Sequence, residues 1–329
     1  MARTLRLEYE GACYHVINRG NYRRGIFASE GAAEAFERAL KETAERFGWR
    51  IHAYVIMSNH FHLAVETPKP NLSAGMKYLQ GTWANRFNRY RGENGRPFQG
   101  RYKSLHVEPG HALAQVAHYI HLNPVRARIT PMEQLAAFRW SSLWWSPRKN
   151  RPAWLEVETL LREAGGLNDG PAGWRSYRTY LSLLAEEDPR QRQGKFGDLS
   201  RGWVVGTKEF RRDMAKELKL RGVDLELPTR AGNEGAAAEL LHEDWTDRLE
   251  KAAKAGRIDL QNLGPLKSAG DKVVLAAALK RTTGVSNGWL SENLKMGTPA
   301  SVSQFVRRFL LAGGEEDPRF KRILSTFKT

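Results

Sequence analysis

Hydrophobic positions recur with two different periods over the first 130 residues, and the switching between them predicts the fold. Cys13-Tyr14-His15-Val16-Ile17-Asn18 reads as a first strand. From Glu30 to Phe47, the residues Ala33, Phe36, Leu40, Ala44 and Phe47 keep helical spacing, with Ser29 placed to cap the start and Gly48 to end it. Two β-rich runs between Ile51 and Glu66 flank the polar break Met57-Ser58-Asn59, the pattern of a hairpin. A second helix follows from Leu72 to Tyr90, with Met76, Leu79, Trp83 and Phe87 on one face. After a glycine-rich basic turn comes a strand from Tyr102 to Val107. A third helix then runs from about Gly110 to His121 and is expected to stop near Asn123-Pro124, because a proline disfavours helix in the residue before it. Strand, helix, strand, strand, helix, strand, helix predicts an α+β fold. Its form is a ferredoxin-like four-stranded antiparallel sheet with helices on one face.

Beyond Arg128 the periodicity weakens. Residues 131–200 carry aromatic pieces such as Trp140-Ser141-Ser142-Leu143-Trp144-Trp145, broken by prolines and glycines, and read as short helices packing on the first domain. A linker is expected at Gly194 to Gly202. The expected division is therefore a first domain at 1–130, an extension at 131–200 and a helical domain at 201–329. The last part ends in helices at Asp271 to Lys280, Asn287 to Lys295 and Pro299 to Ala312, with Met296-Gly297-Thr298 as a turn of helix-turn-helix length near 271–312.

Charge narrows the class of partner. The 329 residues carry 52 Lys and Arg against 36 Asp and Glu, a net charge of +16, which is the electrostatic footprint of a nucleic-acid partner. Residues 1–150 hold 22 basic and 11 acidic side chains, whereas 151–329 hold 30 and 25, so the excess concentrates on the first domain. No apolar run is long enough to span a bilayer, and Met1-Ala2-Arg3-Thr4-Leu5-Arg6 lacks the apolar core of a signal peptide. The single cysteine, Cys13, excludes a disulfide framework or a cysteine-based zinc site. A reducing, cytoplasmic location is the expectation.

His60-Phe61-His62 opens the second arm of the hairpin. Residues two apart on a strand share a face, so both imidazoles can bind one ion while Phe61 enters the core. Two exposed strand histidines would give the same pattern, so further groups are needed. The third helix offers them: Tyr119 and Asn123, four apart, share a face if the helix continues to Asn123. A carboxamide oxygen is a hard ligand, and with two imidazoles it suits Mg²⁺ or Mn²⁺. A tyrosine hydroxyl held beside such an ion is a candidate covalent nucleophile towards a phosphodiester. A phenol is mostly neutral at pH 7, so it needs a proton acceptor or a nearby cation.

The order of His60-Phe61-His62 and Tyr119-Ile120-His121-Leu122-Asn123-Pro124-Val125-Arg126-Ala127 resembles the single-tyrosine HUH transposases of the IS200 type. Within them it most resembles the REP-associated tyrosine transposases. The resemblance covers about residues 8–130 and reaches loosely to the C-terminal helices, where long members carry a helix-turn-helix similar to that of the initiator DnaA. It implies His60, His62 and Asn123 as ligands of a divalent metal and Tyr119 as the catalytic nucleophile. It also implies attack on single-stranded DNA, giving a 5′-phosphotyrosine link and a free 3′-hydroxyl, at hairpin-forming REP-like repeats, by a monomer. The alternatives are a replication-initiation or conjugative HUH nuclease and a non-catalytic DNA-binding regulator.

Arg23, Arg24, Arg96, Arg101 and Lys103 lie in glycine-bounded loops or at a strand start, where DNA phosphates are easier to reach than a core. Arg126 is placed to contact phosphate or to cap helix carbonyls. Ser301, Ser303, Gln304, Arg307 and Arg308 occupy the segment a recognition helix would use. His118 and His121 flank Tyr119 and are expected in packing or surface roles. His15 and His52 read as ordinary strand residues. Glu66 falls about 13 Å along the strand from His62, too far to share an ion.

Overall fold

The computed structural model describes residues 7–186, 198–200, 202–220, 234–283 and 285–327. The basic arm at 1–6, and 194–197 and 201 of the expected linker, lie outside them. The chain divides into two compact units, Met1–Arg221 and Gly222–Thr329. In the first, β1 (Ala12–Arg19), α1 (Glu30–Phe47), β2 (Arg50–Ile56), β3 (His60–Thr67), α2 (Leu72–Arg91), β4 (Lys103–Val107) and α3 (His111–Arg126) follow the predicted order. Local chemistry sets several boundaries. Ser29 Oγ accepts from the Ala32 amide at 3.3 Å, and Gly48 ends α1 in the left-handed conformation at φ 67°. The hairpin closes through Met57 N donating to His60 O at 2.8 Å.

The sheet has the order β2-β3-β1-β4-β5, in which β1, β2, β3 and β4 pair antiparallel. The fifth strand, β5 (Val204–Val205), pairs parallel to β4. It was not foreseen, because two residues carry no period. Nor do the helices share one face. Tyr14, Val16, Phe61, Leu63 and Val65 pack with α1 and α2, whereas Cys13, Ala64, Val55, Leu105 and Val107 pack with α3. The sheet is therefore covered on both sides, and the face opposite Phe61, which carries His60 and His62, looks towards α3.

Helix α3 also outlasts its predicted stop, running through Pro124 to Arg126. Pro124 has no N–H to give to Ile120 O, a loss of one helical bond. Residues from Val116 to Pro124 are buried along the helix, and their packing outweighs that local preference. Tyr119 and Asn123 consequently do stand one turn apart on continuous helix.

The segment after α3 folds back on this core through α4 (Ser142–Trp145), α5 (Glu158–Glu163) and α6 (Pro171–Glu186). Its backbone bonds to the outer side of β2, with Ile56 N to Trp140 O at 2.8 Å, Ile51 N to Trp154 O at 2.8 Å and Glu156 N to Ile51 O at 2.9 Å. On the other side of the sheet, His106 N donates to Trp203 O at 2.7 Å and Glu108 N to Val205 O at 2.8 Å. Arg139 forks onto Glu37 of α1 at 2.9 and 2.7 Å and stacks 4.3 Å from the Trp144 ring, so charge and aromatic packing hold the segment together. Trp174 is buried in the α3-side core.

His52 is the extra residue of a bulge between Ile51 and Ala53. Its Nε2 lies 3.3 Å from Glu66 Oε2, and its Nδ1 makes a 2.5 Å ion-pair contact with Glu156 Oε2 that is off hydrogen-bond alignment. Burial opposes the charge on His52, but the paired carboxylates of Glu156 and Glu66 outweigh it and raise its pKa above 6.5. The bond to His52 holds Glu66 below its ordinary 4.5; in Glu156 burial opposes the shift, and the same histidine overcomes it. The histidine's contribution to stability is full below 6.5 and is lost as pH rises through its raised folded value. That of the carboxylates is full above 4.5 and is lost as pH falls through their lowered values. His52→Gln is therefore expected to lower the melting temperature more at pH 6 than at pH 9. Calorimetric scans at the two pH values check this; equal losses would mean that packing rather than charge holds the residue.

In the second unit, helices Glu234–Gly256, Gly270–Thr282, Asn287–Asn293, Pro299–Leu311 and Pro318–Thr326 surround a core that includes Leu275, Leu279, Leu290, Val302 and Ile323. Thr298 caps the helix Pro299–Leu311 by accepting from Ser301 N. Among the described residues no helix is long and apolar enough to cross a membrane.

Candidate active site

The site lies between the α3-facing side of β3 and one face of α3. His62 is 4 % exposed and Tyr119 6 %. Their ring centroids are 5.7 Å apart, and those of His60 and His62 are 5.1 Å apart. Asn123, also buried, donates its Nδ2 to Tyr119 O at 3.1 Å, which leaves Oδ1 as the unspent end of its amide. Arg126, exposed one turn further on, holds its Cζ 4.7 Å from the centre of the Tyr119 ring. The four residues expected to carry chemistry, with Arg126, thus occupy one strand end and two turns of one helix.

One residue of this cluster was missed. His15, read as an ordinary strand residue, is fully buried, with its ring centroid 5.1 Å from that of His62 and 5.8 Å from that of Tyr119. Its Nε2 is 2.9 Å from His62 Nδ1, and its Nδ1 is 2.5 Å from Leu199 O. The sequence signal was its two-residue spacing from Ile17, which pairs with His62 across the sheet. On the outer flank, Asn59 Oδ1 lies 2.7 Å from His60 Nδ1, while Asn59 Nδ2 donates to Arg23 O at 3.3 Å.

Burial, with repulsion from Arg19 added, pushes His60 down to about 4. His15 also falls to about 4, through burial first. His62 is lowered well below 6.5 by burial and then by His15 and His60. All three rings are neutral at pH 7 and keep a lone pair. Among the described residues there is no group of three or more His, Cys, Asp or Glu side chains suited to a metal. The side chains here that could hold an ion are His60, His62 and Asn123, two neutral imidazoles and one carboxamide oxygen, donor types that suit a hard or borderline divalent ion keeping several water or phosphate ligands.

The family model for IS200-like transposases matches residues 8–123, from just before β1 to Asn123 itself. The match spans β1 to the Asn123 end of α3, the part of the chain that carries the site. It takes in 116 of the 329 residues. Among solved structures, the chain is similar to a REP-associated tyrosine transposase bound to a REP hairpin, at 15 % identity and a TM-score of 0.38, covering 49 % of this chain and 93 % of that one. It is also similar to a candidate transposase from Deinococcus radiodurans, at 25 % identity and a TM-score of 0.27, covering 36 % of this chain and 95 % of that one. No curated protein matches.

The other residues expected to serve the site in the first domain are spread around it. Arg23, Arg24, Arg96, Arg101 and Lys103 are all exposed. Tyr22, Arg24, Arg91 and Arg96 line a cavity of about 340 Å³. Tyr22 is 88 % exposed there, and both Tyr22 and Arg23 hold positive φ, at 51° and 58°. Such backbone is costly for bulky residues and tends to persist where a surrounding framework fixes it. That framework includes Gly20 N to Asn59 O and Asn21 N to Pro97 O, both at 2.7 Å, so the loop is tied to the residue beside His60. Lys103 instead donates to Ser200 O at 2.9 Å. His118 and His121 are buried, each 2.9 Å from the Tyr177 hydroxyl, so they pack the back of α3 rather than reach the surface. In the second unit Ser303, Gln304, Arg307 and Arg308 are exposed, while Ser301 is half-buried with its hydroxyl 2.9 Å from that of Thr298.

Proposed function

We propose that this chain is a metal-dependent single-strand DNA endonuclease and strand transferase acting at hairpin-forming repeats. The observation that carries the reading is the Tyr119 ring set beside His62 on a transposase domain, with Asn123 one turn along the same helix. The motif order within His60-Phe61-His62 and Tyr119 to Ala127 supports the REP-associated form of it.

In this reading Tyr119 Oη bonds to the scissile phosphorus as the bond from phosphorus to the 3′-oxygen breaks. The phenolic proton passes to solvent, and the departing 3′-oxygen takes one up. The phosphotyrosine keeps the phosphodiester's bond energy, so a second 3′-hydroxyl can reverse the step and join a new strand without ATP. His60 and His62, neutral, and Asn123 through Oδ1 would hold a Mg²⁺ or Mn²⁺ ion. When bound, such an ion polarises a phosphate and stabilises charge on a leaving oxygen. Arg126, over the Tyr119 ring, is placed to meet the incoming phosphate. The loop carrying Tyr22, Arg23 and Arg24 supplies an exposed ring for base stacking and charges for the strand entering the site.

Incubation of the chain with a labelled single-stranded hairpin and Mn²⁺, followed by SDS electrophoresis, tests the reading. A covalent DNA–protein band supports the nuclease. Binding without a covalent band would favour a DNA-binding regulator.

For the second unit, the helix Pro299–Leu311 is proposed as a recognition helix that presents Ser303, Gln304, Arg307 and Arg308 to duplex DNA. Replacing Arg307 and Arg308 together by alanine is expected to weaken hairpin binding and to reduce the slope of log affinity against log salt by up to about two. Fluorescence anisotropy over a salt series measures this, and an unchanged slope would remove the helix from the interface.

A further inference from the structure

The hydrogen bonds behind the two strand histidines run in one direction. A carbonyl oxygen can only accept, so His15 Nδ1, 2.5 Å from Leu199 O, carries that ring's hydrogen. His15 is fully buried against a carbonyl and an imidazole, neither of which pairs a positive charge, so the ring is neutral and its Nε2 is an acceptor. That atom lies 2.9 Å from His62 Nδ1, which must therefore be the donor.

The same logic applies to His60. The amide of Asn59 is oriented by its Nδ2 donating to Arg23 O, so Oδ1 faces His60 Nδ1 at 2.7 Å and accepts from it. Two unrelated partners, an imidazole on β1 and an amide in the hairpin turn, thus impose one protonation pattern on both rings.

We infer that His15 is a positioning residue: it holds His62 in the Nδ1–H form, so that Nε2 of His62, like Nε2 of His60, is the lone pair offered to the site. A merely space-filling residue at this fully buried position would need no polar atoms, yet both nitrogens of His15 are matched to a partner of the right sense. Second partners of this kind fix ring orientation and ligand basicity in metal sites, and losing one typically weakens metal affinity about 10–100-fold. Here the chain of bonds ends on Leu199, in the turn Asp198–Ser200, which Lys103 also grips through Ser200 O. A residue 76 positions beyond Asn123 therefore completes the arrangement behind His62.

The role assigned to Nε2 rests on the metal-dependent reading above, but the tautomer itself does not, and the experiment separates the two. The full-length chain, with ¹⁵N-labelled histidine and no metal added, is compared by long-range ¹H–¹⁵N spectra with His15→Phe and His15→Gln, whose side-chain oxygen can still accept. In the wild type His60 and His62 are expected as Nδ1–H. In His15→Phe, His62 switches to Nε2–H while His60 keeps its form, a built-in sign that the fold is retained; in His15→Gln, His62 stays Nδ1–H. Mn²⁺ binding, followed by its electron-paramagnetic signal, is expected to weaken about 10–100-fold in His15→Phe and by less than about threefold in His15→Gln. Finding His62 as Nε2–H in the wild type overturns the inference without any variant, as does an unchanged His62 in His15→Phe. If the tautomers behave as expected but Mn²⁺ binding is the same in wild type, His15→Phe and His62→Ala, the positioning by His15 stands and the metal-dependent reading falls.

Discussion

Tyr119→Phe is expected to abolish the SDS-stable DNA adduct and to cut strand cleavage by at least about 10³-fold, while binding the same hairpin within about twofold of wild type. The substitution removes one oxygen and leaves the ring that packs against His62, His15 and Arg126, so the site keeps its shape. Binding is preserved because the cations proposed to meet DNA, among them Arg23, Arg24 and Arg96, are exposed on the surface around the site. Quenched-flow or endpoint cleavage with a labelled oligonucleotide, together with anisotropy binding curves, measures both quantities on one preparation. An adduct that survives the substitution would move the nucleophile elsewhere in the chain.

The double replacement His60→Ala and His62→Ala should be as damaging to chemistry by a different route. Cleavage is expected to fall about 10²- to 10⁴-fold, again with hairpin binding largely intact. An independent readout is thermal stabilisation by Mn²⁺. A ligand present at a hundred times its dissociation constant stabilises the state that binds it by about 2.7 kcal/mol. That increment should appear in the wild type and vanish in the double variant. If cleavage and DNA binding are lost together, the two histidines serve the fold and not the reaction.

The parts of this site that were legible in the sequence are those fixed by local geometry. Strand alternation put His60 and His62 on one face and Phe61 on the other whatever the strand packs against, and helical spacing put Asn123 one turn after Tyr119 on the condition that the helix ran that far. What the sequence concealed is non-local. Connections between parallel strands obey a handedness rule that keeps α1 and α2 on one side of the sheet, but α3 follows the last of the four main strands and no such rule assigns its face. Only the structure places it against His60 and His62. His15 was obscure for a similar reason. Its meaning depends on the pairing of β1 with β3 and on a carbonyl far along the chain. Pro124 misled because a strong local signal was opposed by burial of the whole inner face of α3, a term that no window of sequence contains.

The coverage of the sheet by the later segments bears on how the molecule behaves in solution. A four-stranded sheet cut off after α3 would present two unpaired strands, β2 on one side and β4 on the other, each a template for another copy. In this chain both rows of backbone groups are engaged from within, by Trp140, Trp154 and Glu156 along β2 and by Trp203 and Val205 along β4. Trp140, Trp154, Glu156, Trp203 and Val205 thereby take backbone positions that a second copy could otherwise pair with. Shortening the protein to the 116 residues that match the family model would uncover both edges, and the fragment is expected to clump before it loses any chemistry.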